Sequence, residues 1–218
     1  AAVRRYAVKS VFGPTVQGEG SLVGAVTAFV RLAGCNVWDG RPESRASSRC
    51  PYCDTDFVGG EHLTAAEIVG RLRALLPAGG LVTVSGGEPL LQLDEGLAAA
   101  LRDEGFRLAV ETNGTRSIGV GLASLISHVT MSPKVPPGEV RLGACDDLKV
   151  LVPHPDPRIT PEAFDSFPAR QRWCQPVNDP RDLTPASVAL ALEACYRMAR
   201  LGRDWRLSVQ LHKILGVE

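Results

Sequence analysis

Six cysteines punctuate the chain, at positions 35, 50, 53, 145, 174 and 195, and their distribution is uneven. Cys35, Cys50 and Cys53 fall in one stretch as Cys-x14-Cys-x2-Cys, whereas Cys145, Cys174 and Cys195 are scattered through apolar or loop contexts. Thiolates bind soft metals, so the clustered three read as ligands to zinc or to an iron–sulfur cluster. A structural zinc ion wants four ligands. His62 is the one histidine near this segment, and the fourth position could otherwise fall to Cys145, Cys174 or Cys195. Three thiolates on a [4Fe-4S] cluster instead leave one iron open, which is a catalytic arrangement. Cys174 lies in a strand-like run and Cys195 on an apolar helical pattern, where core packing is the simpler reading.

The elements that must position these residues are legible as two alternating patterns. Short β-branched runs at 7–11, 27–32, 81–85, 107–111, 128–131, 147–151, 172–177 and 206–210 read as strands. Thr64-Ala-Ala-Glu67 opens a helix as a capping box, Thr184-Pro185 opens another, and a third covers LLQLDEGLAAALRDEG. Strands alternating with helices predict an α/β fold of parallel strands with outer helices, with function on loops at the carboxyl ends of the strands. Gly86-Gly87-Glu88-Pro89, Thr112-Asn113-Gly114-Thr115, Ser132-Pro133-Lys134 and Asn178 all follow such strands. There are too few units for an eight-fold barrel of about 250 residues, so an incomplete, open TIM-type barrel is expected. Residues 36–49 (NVWDGRPESRASSR) fit neither periodicity and read as an irregular insertion between ligands.

With 218 residues the chain suits one domain, spanning 1–218. Its 24 Lys and Arg balance 24 Asp and Glu, which argues against nucleic acid or an anionic membrane as partner. No apolar run approaches the roughly 20 residues of a membrane span, and AAVRRYAVKS lacks the apolar core of a signal peptide. A cytoplasmic location with reduced thiols, rather than three disulfides, is the expectation.

Cys50-Pro51-Tyr52-Cys53 followed by a strand ending in GGEP resembles the radical S-adenosylmethionine superfamily. In that superfamily the open iron chelates S-adenosylmethionine, and reduction releases a 5′-deoxyadenosyl radical that abstracts hydrogen from substrate. Two glycines there would let the backbone approach the methionine moiety, and the Glu88 carboxylate would answer its ammonium. The resemblance goes further. Phe12-Gly-Pro-Thr-Val-Gln-Gly-Glu-Gly20, Phe29-Val-Arg-Leu-Ala-Gly-Cys-Asn36, Cys53-Asp-Thr55, Ser132-Pro-Lys134, Gln175-Pro-Val-Asn178 and Gln210-Leu-His-Lys213 are similar to the 7-carboxy-7-deazaguanine synthase family over nearly the whole chain. That family contracts 6-carboxy-5,6,7,8-tetrahydropterin to 7-carboxy-7-deazaguanine with loss of ammonia, in the 7-deazapurine (queuosine precursor) pathway, and uses magnesium.

The resemblance implies that Cys35, Cys50 and Cys53 hold the cluster, that Thr55 binds Mg2+, and that no protein group beyond cluster and cofactor is needed as catalyst. It assigns Val16, Gln17, Gly18, Arg31, Ser85 and the terminal Glu218 to the pterin. Arg31 offers a bidentate fork for a carboxylate. Tyr52, Cys53, Asp54, Gly87, Ser132, Pro133, Lys134, Gln175, Pro176, Val177 and Asn178 fall to S-adenosylmethionine; Glu111 and Thr112 begin a further loop on the same face. An electron donor such as a flavodoxin is the implied partner, and the exposed edge strands of a small open barrel make a homodimer the expectation. The chain departs from the superfamily in its cysteine spacing, with 14 residues where three are usual, and Arg41, Arg45 and Arg49 in the insertion. Two rivals remain at this level: another radical S-adenosylmethionine enzyme, such as a glycyl-radical activase, and a zinc-stabilised binding module.

Overall fold

The computed structural model describes residues 3–177 and 185–217. Each β-branched run named above contributes a strand: β1 (Arg5–Val16), β2 (Val26–Leu32), β4 (Leu81–Gly86), β5 (Arg107–Thr112), β6 (His128–Met131), β7 (Cys145–Val152), β8 (Ala169–Pro176) and β9 (Arg206–Leu207). β3 (Glu61–Thr64) has no counterpart in that reading, because it is four residues long and buries only Leu63. Between them lie α1 (Ala65–Arg73), α2 (Glu95–Asp103), α3 (Val120–Leu125), α4 (Pro161–Phe164), α5 (Pro185–Arg200) and α6 (Leu211–Leu215).

Local chemistry fixes the helix starts. Thr64 Oγ1 accepts the Glu67 N–H (3.2 Å) while the Glu67 carboxylate accepts the Thr64 N–H (2.7 Å), a reciprocal capping box. α2 begins at Asp94, whose carboxylate accepts the Leu97 N–H (2.9 Å), and not at Leu90 as the apolar pattern suggests. Glu88 draws the Leu90 N–H into a separate 3-10 turn over Pro89–Leu91. Thr184, read as the cap of α5, lies outside the described residues.

One nine-stranded sheet runs in the order β3-β1-β2-β4-β5-β6-β7-β8-β9. Every pair from β2 to β9 is parallel, as the strand–helix alternation requires. β1 departs from the expectation of parallel strands alone and runs antiparallel to both β2 and β3. The short 17–25 connection is the reason, since a parallel crossover needs a dozen residues or more.

α1 and α2 cover β1 to β5 through Ile68, Leu72, Leu97 and Leu101, all wholly buried; α5 covers the other end with Ala191, Ala194 and Met198 against Leu148, Val150 and Cys174. Each fully buried leucine contributes about 1.5–3 kcal/mol of burial free energy. Among the described residues the outer strands β3 and β9 pair on one side only, so hydrogen bonding does not close the sheet. The β1–β2 turn nevertheless reaches across to the far strands. Asp147 on β7 accepts the Ser21 N–H (2.9 Å) and hydroxyl (2.7 Å), and Trp173 Nε1 (2.9 Å) on β8 donates to its other oxygen. Burial alone would raise the Asp147 pKa, but hydrogen bonds from His128, Ser21 and Trp173 outweigh it and hold the carboxyl below the usual range. Gly18 O accepts the Leu211 N–H (2.9 Å), which seats α6 on the same turn. No helix among the described residues is long and apolar enough to cross a membrane.

Candidate active site

Because the parallel strands share one polarity, their carboxyl-end loops converge on a cavity of about 640 Å³. Cys35 follows β2 directly through Gly34, whose positive φ of 87° turns the chain into the site. A Cβ on Gly87 would lie 2.2 Å from Gly34 O and 2.7 Å from Cys35 Cβ, so only glycine allows the β4 loop to lie against the first cysteine. Cys50 and Cys53 share a hydrogen bond that holds the Cys50 thiol down to about 7 and pushes Cys53 up; burial pushes Cys35 up. All three thiols face the cavity.

The insertion packs onto this loop. A 3-10 turn at Pro42–Ser47 carries Arg45, whose guanidinium stacks 4.2 Å from the Trp38 ring centroid and donates to Cys53 O (2.6 Å). Trp38 meets Phe57 edge to face at 5.5 Å. Asn36, next to Cys35, donates to Thr115 Oγ1 (2.8 Å) and accepts from Asn113 Nδ2 (3.1 Å), tying the cysteine arm to the β5 loop.

Cys145, Cys174 and Cys195 lie in the second core and do not line the cavity, so no fourth thiol joins the three. Among the described residues no three His, Cys, Asp or Glu side chains converge as ligands of a single ion. Three thiols without a fourth suit a cluster better than a closed four-ligand zinc site. The donor set fits a three-cysteine [4Fe-4S] cluster, which Cys35, Cys50 and Cys53 would hold.

Of the residues assigned to ligands, Val16, Gln17, Gly18, Arg31 and Ser85 line the cavity, as do Tyr52, Asp54, Thr55, Gly87, Ser132, Lys134, Gln175, Pro176 and Val177. Pro133 is buried beneath the wall instead. Asn178 and Glu218 lie outside the described residues. Arg31 and Ser85 are register partners on β2 and β4, so their side chains share a face. Arg31 lies over the Phe12 ring at 5.6 Å and forms no ion pair among the described residues, leaving its fork free for an anion. Lys134 donates to Ser132 Oγ (2.7 Å), and Lys213 pairs with Asp54 at 2.5 Å.

Glu88 overturns one expectation. Its carboxylate is wholly buried and does not face the cavity; it accepts from Leu90 N (3.0 Å), Thr112 Oγ1 (2.8 Å) and Asn113 N (2.7 Å). With its oxygens turned to the protein, it is not available to an ammonium in the cavity. Sequence reasoning also passed over Glu19, Lys149 and Gln210, which meet in the opposite wall. Lys149 carried a signal, a lone cation inside the apolar run DLKVL. Burial and the neighbouring Lys213 push its pKa down, while the Glu19 carboxylate in contact with it favours the charged form.

A family model described as the Radical SAM superfamily matches residues 45–126, from the insertion through α3. Fold and thiol site together define that class. Over 97% of this chain and 99% of theirs, 7-carboxy-7-deazaguanine synthases of Caulobacter vibrioides and Burkholderia multivorans are 38% and 40% identical. A crystal structure of QueE from Escherichia coli matches the fold with a TM-score of 0.64 over 95% of each chain, at 23% identity. The chain belongs to the 7-carboxy-7-deazaguanine synthase family.

Proposed function

We propose that the protein is a radical S-adenosylmethionine lyase that converts 6-carboxy-5,6,7,8-tetrahydropterin to 7-carboxy-7-deazaguanine with loss of ammonia. The observation that carries this reading is the cavity itself, which three thiols line together with Arg31, whose guanidinium forms no ion pair among the described residues. When bound, the cluster and S-adenosylmethionine supply one-electron reduction and hydrogen-atom abstraction. The chain's own residues bind and orient. Arg31 takes the pterin carboxylate, with Ser85 beside it as a hydroxyl partner. The backbone of Val16-Gln17-Gly18 pairs with the amide edge of the ring. Gly87, Ser132, Lys134 and the backbone of 175–177 receive the cofactor, and Tyr52 and Asp54 flank it. Gly87 is suited to this by its lack of a side chain.

The reading extends to Mg2+ held at Thr55, a hard hydroxyl ligand on the cavity wall. It further includes a curved, incomplete barrel formed by one domain over 1–218, a flavodoxin-type electron donor, a homodimer and a cytoplasmic setting. Anaerobic reconstitution with S-adenosylmethionine, reductant, Mg2+ and the pterin, followed by mass spectrometry, tests it. Both 7-carboxy-7-deazaguanine and 5′-deoxyadenosine are expected, and an iron-loaded protein that yields neither overturns the proposal. Arg31→Ala is expected to raise KM for the pterin about 100-fold, the loss of a charge-assisted bidentate contact worth roughly 3 kcal/mol.

A further inference from the structure

Glu19 joins the β1–β2 turn to strands that neither β1 nor β2 pairs with in the sheet. One carboxylate oxygen accepts from Gln175 Nε2 (3.0 Å) at the end of β8 and from Gln210 Nε2 (2.7 Å) in the tail. The other contacts Lys149 Nζ on β7. The Glu19 N–H donates to Gln17 Oε1 (3.2 Å), and Gln17 Nε2 in turn donates to Glu111 Oε1 (3.1 Å) on β5. Ser208 completes the belt by donating to Gln175 Oε1 (3.1 Å) while accepting the Gly20 N–H (3.1 Å).

This belt spends the side-chain amides of both Gln17 and Gln175 on protein contacts. What the two segments then offer a ligand is the backbone not already used by the hydrogen bonds from Gln17 N–H to Ala25 O, Gly24 N–H to Gln17 O, Leu211 N–H to Gly18 O and Val177 N–H to Val152 O, held at a spacing that Glu19 sets. A buried ion pair is a poor device for stability alone, because desolvation offsets most of its Coulomb gain.

We propose that Glu19 is a positioning residue that couples the two halves of the site, so that occupancy of the 16–18 loop by the pterin tightens binding of S-adenosylmethionine at 175–177, and the reverse. This rests on the functional reading above, in which those two segments serve the two ligands. Both ligands bear on this one belt, so the ligand bound first holds the spacing that the second meets.

The test measures S-adenosylmethionine binding by anaerobic calorimetry on cluster-loaded protein without reductant, with and without saturating 6-carboxytetrahydropterin. About a tenfold gain in affinity is expected for the wild type, within the usual range of site–site coupling. In the double variant Glu19→Gln/Lys149→Met, which removes the charge without stranding a partner, that ratio is expected to fall to about one. Under turnover the same variant is expected to release more 5′-deoxyadenosine per product. A wild-type ratio of one, or a variant that keeps the wild-type ratio while both ligands weaken alike, overturns the coupling and leaves Glu19 a structural residue. Failure of the functional reading is distinguishable, because the wild type would then make no 7-carboxy-7-deazaguanine before any variant is compared.

Discussion

Glu88 and Glu19 lie on either side of the cavity, the first wholly buried and the second lining the cavity with its side chain 12% exposed, and they are satisfied in opposite ways. Glu88, behind the cysteine wall, is met by two backbone N–H groups and a hydroxyl from adjoining loops, with no cation in contact. Burial raises its pKa, and those donors pull the other way. Glu19, on the facing wall, is met by an ammonium and two side-chain amides drawn from β7, β8 and the tail. The first holds together loops that the sheet already makes neighbours. The second spans the gap between the β1–β2 turn and the far strands, where no ladder of hydrogen bonds does so. The cysteine wall is therefore built on contacts between loops that follow nearby strands of the sheet, and the opposite wall on contacts between elements that the sheet does not pair.

Lys149→Met is the harshest way to break that contrast. It strands the Glu19 carboxylate, and a loss of about 3–5 kcal/mol is expected in chemical denaturation, most of it recovered when Glu19→Gln is added. Iron content should be unchanged, since neither residue touches the cysteine loop. Glu88→Ala orphans three donors and is expected to cost on the order of 3 kcal/mol. Here iron per protein should fall as well, because Asn113 is the link from Glu88 to Asn36 and so to Cys35. If both variants lose iron equally, the two walls are not independent. Gly87→Ala sharpens the comparison from inside the first wall. The new methyl meets Gly34 O and Cys35 Cβ, so a cost of about 1–3 kcal/mol is expected together with a weaker cluster absorbance on anaerobic reconstitution.

The smallest effect concerns acid. Burial, with Lys134 nearby, pushes His154 down to about 4, and its Nδ1 accepts the Asp156 N–H at 3.0 Å, a role only the unprotonated nitrogen fills. The unfolded chain binds this proton near the ordinary histidine value and the folded one does not. The contribution to stability is therefore complete above that value and is lost as pH falls toward 4. Thermal midpoints at about pH 7 and about pH 5 should differ less in His154→Asn than in the wild type.

Much of the site is legible in the sequence. The cysteine spacing, the capping box at Thr64, and the glycine and proline loops after β4, β5 and β6 are each carried by a few adjacent residues. Strand polarity then places those loops on one face. β3 and α6 escaped notice because each is short and largely exposed, with little periodicity to read. Glu88 was misjudged for a different reason. A carboxylate in a glycine-rich loop looks like a ligand group, and only the fold shows which way it turns.

The sequence by itself determined the clustering of three cysteines, the parallel α/β architecture from β2 onward and the face on which the loops meet, since these follow from residue spacing, local periodicity and the chirality of the chain. Tertiary structure alone decided the antiparallel entry of β1, the turn of Glu88 into the protein, and the meeting of Glu19 with Lys149 across 130 residues. No local pattern encodes such a contact, because it depends on how far a nine-stranded sheet curls, and that is set by the summed twist and packing of every strand and helix in it.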